Sequence, residues 1–136
     1  MRKDALIVVD MLTDFVDKDG ALHVGPTVDK VVPFIKKKIE ESRDRDDLVI
    51  YLKDDHTPND KEFELFPKHA VKGSPGARII PDVAPTKGDE VLPKRRFSGF
   101  YGTKLEQVLT ENKIKHVAIT VVCTSICIMD TVGDLR

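Results

Sequence analysis

Cysteine is scarce in this sequence: Cys123 and Cys127 are the only two, and they form no disulfide framework. That usage fits a reducing, cytoplasmic setting. No charge sign dominates either. Twenty-two Lys plus Arg stand against 23 Asp plus Glu, a formal net charge of -1. This excludes the basic footprint of a general nucleic-acid binder. Long apolar runs are missing, so no segment reads as a membrane span. The five apolar residues Ala5 to Val9 that follow Met1-Arg2-Lys3-Asp4 are too few for a signal-peptide core. No repeat, low-complexity segment or linker interrupts the chain, which predicts one domain over residues 1–136. What is present suffices for a core: 40% of the 136 residues are hydrophobic and 33% are charged. A chain of that length removes roughly two-thirds of its unfolded surface from water. The expectation is a soluble globular domain with neither a nucleic-acid nor a membrane partner.

Ala5-Leu6-Ile7-Val8-Val9 is an unbroken, β-branched run ending abruptly at Asp10, the pattern of a parallel strand buried on both faces. From Thr27 to Ser42, Val28, Val31, Val32, Ile35 and Ile39 recur at helical spacing opposite a Lys- and Glu-rich face. Leu48 to Leu52 reads as a second strand, Glu90 to Pro93 as a third and weaker one, and Val117 to Val122 as a fourth. Residues 53–88, with five prolines, look irregular; so long a loop is either functional or a misread element. Thr103-Lys104-Leu105-Glu106 is a capping-box pattern opening a helix with Leu105, Val108 and Leu109 inward. Thr124 and Ser125 offer N-caps for a last helix. The alternation reads as α/β with a parallel sheet. The pattern is still helical at Asp134-Leu135-Arg136, where a domain of this class would continue into another strand; either the expected domain lacks its C-terminal part or the last helix finishes the fold in an unusual way.

Ligands of open α/β sheets bind beyond the carboxyl ends of the strands. Asp10, then Asp54 and His56, then Lys94, then Cys127 fall at four successive ends. Cys127 occupies the first turn of the last helix, where free N–H groups and the helix dipole stabilise a thiolate. With Asp10 as proton acceptor and Lys94 as cation, it completes a nucleophile, base and cation set. Cys123 competes for the nucleophile's place, although a strand-end cysteine is also a small buried hydrophobe. A second constellation is Asp54-x-His56 with Glu62 and His69, two imidazoles and two carboxylates that suit Zn²⁺, Fe²⁺ or Mn²⁺. Asp55 and Asp60 are rival ligands, and the same acid-rich loop also reads as a solvated turn. His23 and His116 read as ordinary surface or strand-edge residues.

Five blocks in order resemble the isochorismatase-like cysteine hydrolases, and within them the nicotinamidases (pyrazinamidases). They are Ala5 to Phe15, Asp54-Asp55-His56, Glu62 to Gly76, Lys94 to Thr103, and Thr124 to Cys127 with Ile128. The resemblance implies a three-layer α/β/α fold and a catalytic triad of Cys127, Asp10 and Lys94. It also implies a non-proline cis peptide between Val122 and Cys123, turning the backbone N–H groups of Cys123 and Cys127 toward an oxyanion. By the same resemblance Asp54, His56, Glu62 and His69 hold a divalent metal, zinc first and iron or manganese next, that binds a pyridine nitrogen. Phe15, Phe66, Phe97 and Val122 fall at substrate-pocket positions. Leu12, Val121 and Ser125 depart from the usual pattern, away from the triad.

The reading implied is an amidohydrolase converting nicotinamide to nicotinate and ammonia through a Cys127 thioester. It places the chain in NAD salvage and pyridine nucleotide metabolism, with a small-molecule amide as partner and, as is common in the family, a homo-oligomer (dimer or tetramer). Three alternatives stand beside it. One is another hydrolase of the superfamily, acting on a ureido compound, a different amide or an isochorismate-like vinyl ether. Another is metal-activated water with Cys127 a bystander. The last is a binding module without catalysis.

Overall fold

The computed structural model describes residues 4–17, 19, 20, 28–56, 58–64, 68–94 and 104–121. The side chains of residues 28, 29, 62 and 121 are not among those described. Among the described residues four strands form one sheet: β1 (Asp4–Val9), β2 (Leu48–Asp54), β3 (Glu90–Lys94) and β4 (His116–Val121). Three helices accompany them among the same residues: α1 (Thr13–Val16), α2 (Val28–Asp44) and α3 (Leu105–Glu111). The strands of this sheet pair in parallel, in the order β3-β2-β1-β4. The chain therefore runs outward from β1 through β2 to β3 and then returns to the other side of β1. That reversal makes the β1/β4 boundary the switch point, where α/β sheets open a crevice at their carboxyl ends.

The β1 run is apolar throughout because each face of the strand has its own cover. Ala5, Ile7 and Val9 join Leu48, Ile50, Leu52 and Leu92 beneath Leu105 and Val108 of α3. Leu6 and Val8 join Val49 and Tyr51 beneath Ile35 and Ile39 of α2, with Ile80 and Val83. Helices on both faces of a parallel sheet give the expected three-layer α/β/α arrangement. No helix among the described residues is long and apolar enough to cross a membrane.

Several local expectations are corrected, among them β2, which runs past Leu52 to Asp54. α2 continues two residues past Ser42, to Asp44. β3 reaches Lys94 rather than ending at Pro93. The N-cap of α3 is Lys104 and makes no side-chain cap hydrogen bond; Thr103 lies outside the described residues. The described part of residues 53–88 is more ordered than its composition predicts. Single 3-10 turns occupy Lys61–Glu64, Pro75–Ala77 and Pro81–Val83. Isolated bridges join Leu12 to Ile79 and His56 to Val71, so backbone pairing fastens this stretch across the carboxyl end of the sheet.

Candidate active site

β1 is followed at once by Asp10, whose φ of 55° lies in the left-handed region that non-glycine residues rarely adopt. The conformation is held by its neighbours: the Asp10 N–H donates to the Leu52 carbonyl at 2.9 Å. The Asp54 N–H donates to Asp10 Oδ1 at 3.1 Å. Strain of this kind persists only where surrounding structure over-determines it. Asp10 Oδ2 lies 3.2 Å from Lys94 Nζ. The ammonium also donates to Asp54 Oδ1 at 2.5 Å. One cation thus bridges the carboxylates at the ends of β1 and β2, and Lys94 is only 1% exposed.

The other oxygen of Asp54 faces two imidazoles. Asp54 Oδ2 is 3.5 Å from His56 Nε2 and 3.9 Å from His69 Nε2. One ligand atom from each of Asp54, His56 and His69 lies within 4.8 Å of the others, and all three residues are buried. The two rings stand 4.9 Å apart, edge to face. His69 is placed by backbone contacts: the His56 N–H donates to the Ala70 carbonyl at 2.9 Å and the Lys72 N–H to the His56 carbonyl at 2.8 Å. Ala70, left-handed at φ 45°, donates its N–H to Asp14 Oδ2 at 2.8 Å. Asp14 has room to do this because Gly76 lacks a side chain; a Cβ there would fall on the Asp14 carboxylate.

Burial and charge set the protonation of the two carboxyls. Burial, reinforced by the negative charge of Asp54 and opposed by Lys94, raises the Asp10 carboxyl from 3.8 to about 6. Burial also pushes Asp54 upward, but the adjacent His56 imidazole and Lys94 ammonium outweigh it and hold Asp54 below its ordinary value. Asp10 is thus a proton acceptor matched to near-neutral pH, beside an Asp54 that stays ionised. The donor set of one carboxylate oxygen and two imidazole nitrogens, buried and convergent, fits a borderline-soft divalent cation such as zinc.

Among the sequence-predicted residues, Asp10 and Lys94 are brought together, and so are Asp54, His56 and His69. Phe15 is buried with its ring 5.6 Å from that of His69. The Glu62 backbone lies in the Lys61–Glu64 turn, and its side chain is outside those described. Phe66, Phe97, Val122, Cys123 and Cys127, with the expected Val122–Cys123 cis peptide, lie outside the described residues. So does His23, whereas His116 starts β4 and is exposed. Of the rival ligands, Asp60 sits on the far side of His56: its Oδ2 is 3.1 Å from Nδ1. Asp55 is half-buried, and its N–H donates to the Lys94 carbonyl at 2.8 Å. Sequence reasoning missed Phe63, whose ring stands 5.5 Å from that of His56 and 5.6 Å from that of His69. It also missed the part Asp14 takes in placing Ala70. Phe63 follows Asp60 by three residues, the repeat of a 3-10 turn, and that spacing was the available signal.

The model of the isochorismatase domain matches residues 4–136. The chain is 38% identical to a solved N-carbamoylsarcosine amidase from Thermoplasma acidophilum, covering 97% of this chain and 75% of that one at a TM-score of 0.89. It is 33% identical to the pyrazinamidase of Pyrococcus horikoshii in complex with zinc, covering 97% and 77% of the two chains at a TM-score of 0.89. It is also 31% identical to a protein of Arabidopsis thaliana described as a probable inactive nicotinamidase, over 98% of this chain and 72% of that one.

Proposed function

The chain belongs to the isochorismatase family, and from that membership we propose that it is a cysteine-dependent amidohydrolase converting nicotinamide to nicotinate and ammonia. The observation that carries the reading is Lys94, which joins a proton-accepting Asp10 to an Asp54 that also faces His56 and His69. A base-and-cation pair and a metal-ligand set thus share one crevice. Parallel pairing of Val9 with Val121 brings the chain out of β4 beside Asp10, the edge from which Cys127 would approach.

In this mechanism Asp10 accepts the Cys127 thiol proton and the thiolate attacks the carboxamide carbon. The backbone N–H groups of Cys123 and Cys127 bind the tetrahedral oxyanion. Asp10 returns the proton to the nitrogen as the C–N bond breaks, releasing ammonia and leaving a thioester. Water, deprotonated by Asp10, then adds to the thioester; nicotinate leaves and the thiol is restored. Lys94 keeps the Asp10 carboxylate in place and favours the thiolate. Asp54, His56 and His69, with Glu62 as a fourth candidate, would hold a zinc, iron or manganese ion whose Lewis acidity fixes the pyridine nitrogen. Phe15, Phe66, Phe97 and Val122 would wall the ring. Such an enzyme acts in NAD salvage, in the cytoplasm.

The test is ammonia release from nicotinamide by the zinc-loaded protein, beside Cys127→Ala and a chelated sample. Turnover abolished in both is expected. Undiminished turnover by Cys127→Ala would eliminate the thioester route. A second reading, hydrolysis of a ureido compound, is favoured by the 38% identity to the N-carbamoylsarcosine amidase. Activity on N-carbamoyl substrates that survives chelation, with none on nicotinamide, would select it.

A further inference from the structure

We propose that Asp60 is a positioning residue for metal capture, acting through His56 rather than as a ligand; this rests on the metal-ligand reading of Asp54, His56 and His69. Asp60 is 8% exposed, and its Oδ2 meets His56 Nδ1 at 3.1 Å. An imidazole has two nitrogens on opposite sides, so a carboxylate on Nδ1 fixes both the ring rotation and the tautomer. The N–H is drawn to Nδ1, and the Nε2 lone pair is directed to the side where Asp54 Oδ2 lies 3.5 Å away and His69 beyond it. A carboxylate on the remote nitrogen of a ligating imidazole also raises the donor strength of the near one.

The local fold serves this arrangement. The Phe63 N–H donates to the Asp60 carbonyl at 3.1 Å, closing the turn that follows Asp60. The same turn sets the Phe63 ring edge to face against both imidazoles, at 72° to His56 and 70° to His69. One short segment therefore restrains His56 twice, by a hydrogen bond at Nδ1 and by ring packing. A buried carboxylate is costly to keep without a compensating partner, and placing it behind a ligand gives that burial a use.

Zinc affinity, read by competition with a chromophoric chelator, tests the assignment independently of turnover. Asp60→Ala is expected to weaken zinc binding by about 10- to 100-fold. Asp60→Asn, whose amide oxygen still accepts from Nδ1, is expected to stay within about threefold of wild type, the spread of context for a retained neutral hydrogen bond. In a His56→Ala background, removing Asp60 is expected to change affinity little, since a residue acting through His56 has nothing left to act on. The absorption spectrum of the Co²⁺-loaded protein should shift in Asp60→Ala and not in Asp60→Asn. Thermal unfolding of each metal-free variant separates lost folding from lost positioning. Equal zinc affinity for wild type and Asp60→Ala would overturn the proposal while leaving the metal set intact. An Asp60→Ala loss that persists in full in the His56→Ala background would overturn it too. A wild-type protein that binds no zinc would overturn the metal-ligand reading and this proposal with it.

Discussion

Two substitutions at one ion pair should change stability in opposite directions. Asp10, Lys94 and Asp54 are all buried and carry two negative charges against one positive. Ionised Asp10 is the disfavoured member, its carboxyl lying at about 6 instead of 3.8. About two pKa units at roughly 1.36 kcal/mol each make the ionisation cost about 3 kcal/mol. Because the folded value is the higher one, the group favours folding at low pH and that contribution is lost as pH rises through about 6. Asp10→Asn removes the charge and leaves Asp54 and Lys94 as a one-to-one pair. Its single amide oxygen replaces only one of the two contacts, so the expected gain at pH 8 is about 1–3 kcal/mol. The gain falls to about half at pH 5, where native Asp10 is mostly protonated. Asn also tolerates the left-handed backbone at this position. Lys94→Met does the reverse: it leaves two buried carboxylates facing each other, at a loss of about 3–5 kcal/mol. Urea unfolding followed by far-UV circular dichroism, in EDTA at pH 8 and pH 5, measures both. If Asp10→Asn were less stable than wild type at pH 8, burial would not be the dominant force on that carboxyl.

With Asp10 as the base, kcat/KM should fall on the acid side with a midpoint at or below about pH 6, since a cation at Asp54 removes part of the repulsion that raises Asp10; an acid limb centred above pH 7 would exclude this assignment. Gly76→Ala should lower stability by about 1–3 kcal/mol through overpacking, because the new Cβ displaces the Asp14 carboxylate that accepts the Ala70 N–H; calorimetry showing an unchanged Tm would refute the contact. Zinc at about 100 times its Kd should stabilise the protein by about 2.7 kcal/mol, and His69→Ala should abolish that increment in thermal-shift titrations.

Much of the sheet was legible because its signals are local. Ala5 to Val9 shows by composition alone that both faces are covered, and the structure divides those five residues between two cores. Strand-end chemistry was legible for the same reason: a parallel sheet gathers Asp10, Asp54 and Lys94 on one edge whatever lies between them. The loop over residues 53–88 was not, because its order comes from partners distant in sequence. The bridge between Leu12 and Ile79 and the bond from Ala70 to Asp14 leave no periodic trace. Spacing could not separate Asp60 from a ligand either. Only the ring orientation of His56 decides which nitrogen a nearby carboxylate meets. The capping-box pattern at Thr103 misled by one residue, since α3 takes Lys104 as its N-cap.

The outward order of β1, β2 and β3, with β4 added last on the opposite edge, has a consequence for how the molecule comes into being. Asp10, Asp54, His56, Asp60, His69 and Lys94 all lie on the first three strands or the loops joining them. β2 pairs with β1, and β3 with β2, each with the strand made just before it. During synthesis from the N-terminus, the whole polar network can close while β4 is still to come. The strand that leads toward Cys127 is thus made after β1, β2 and β3, and it pairs with β1 on the side that β2 leaves open.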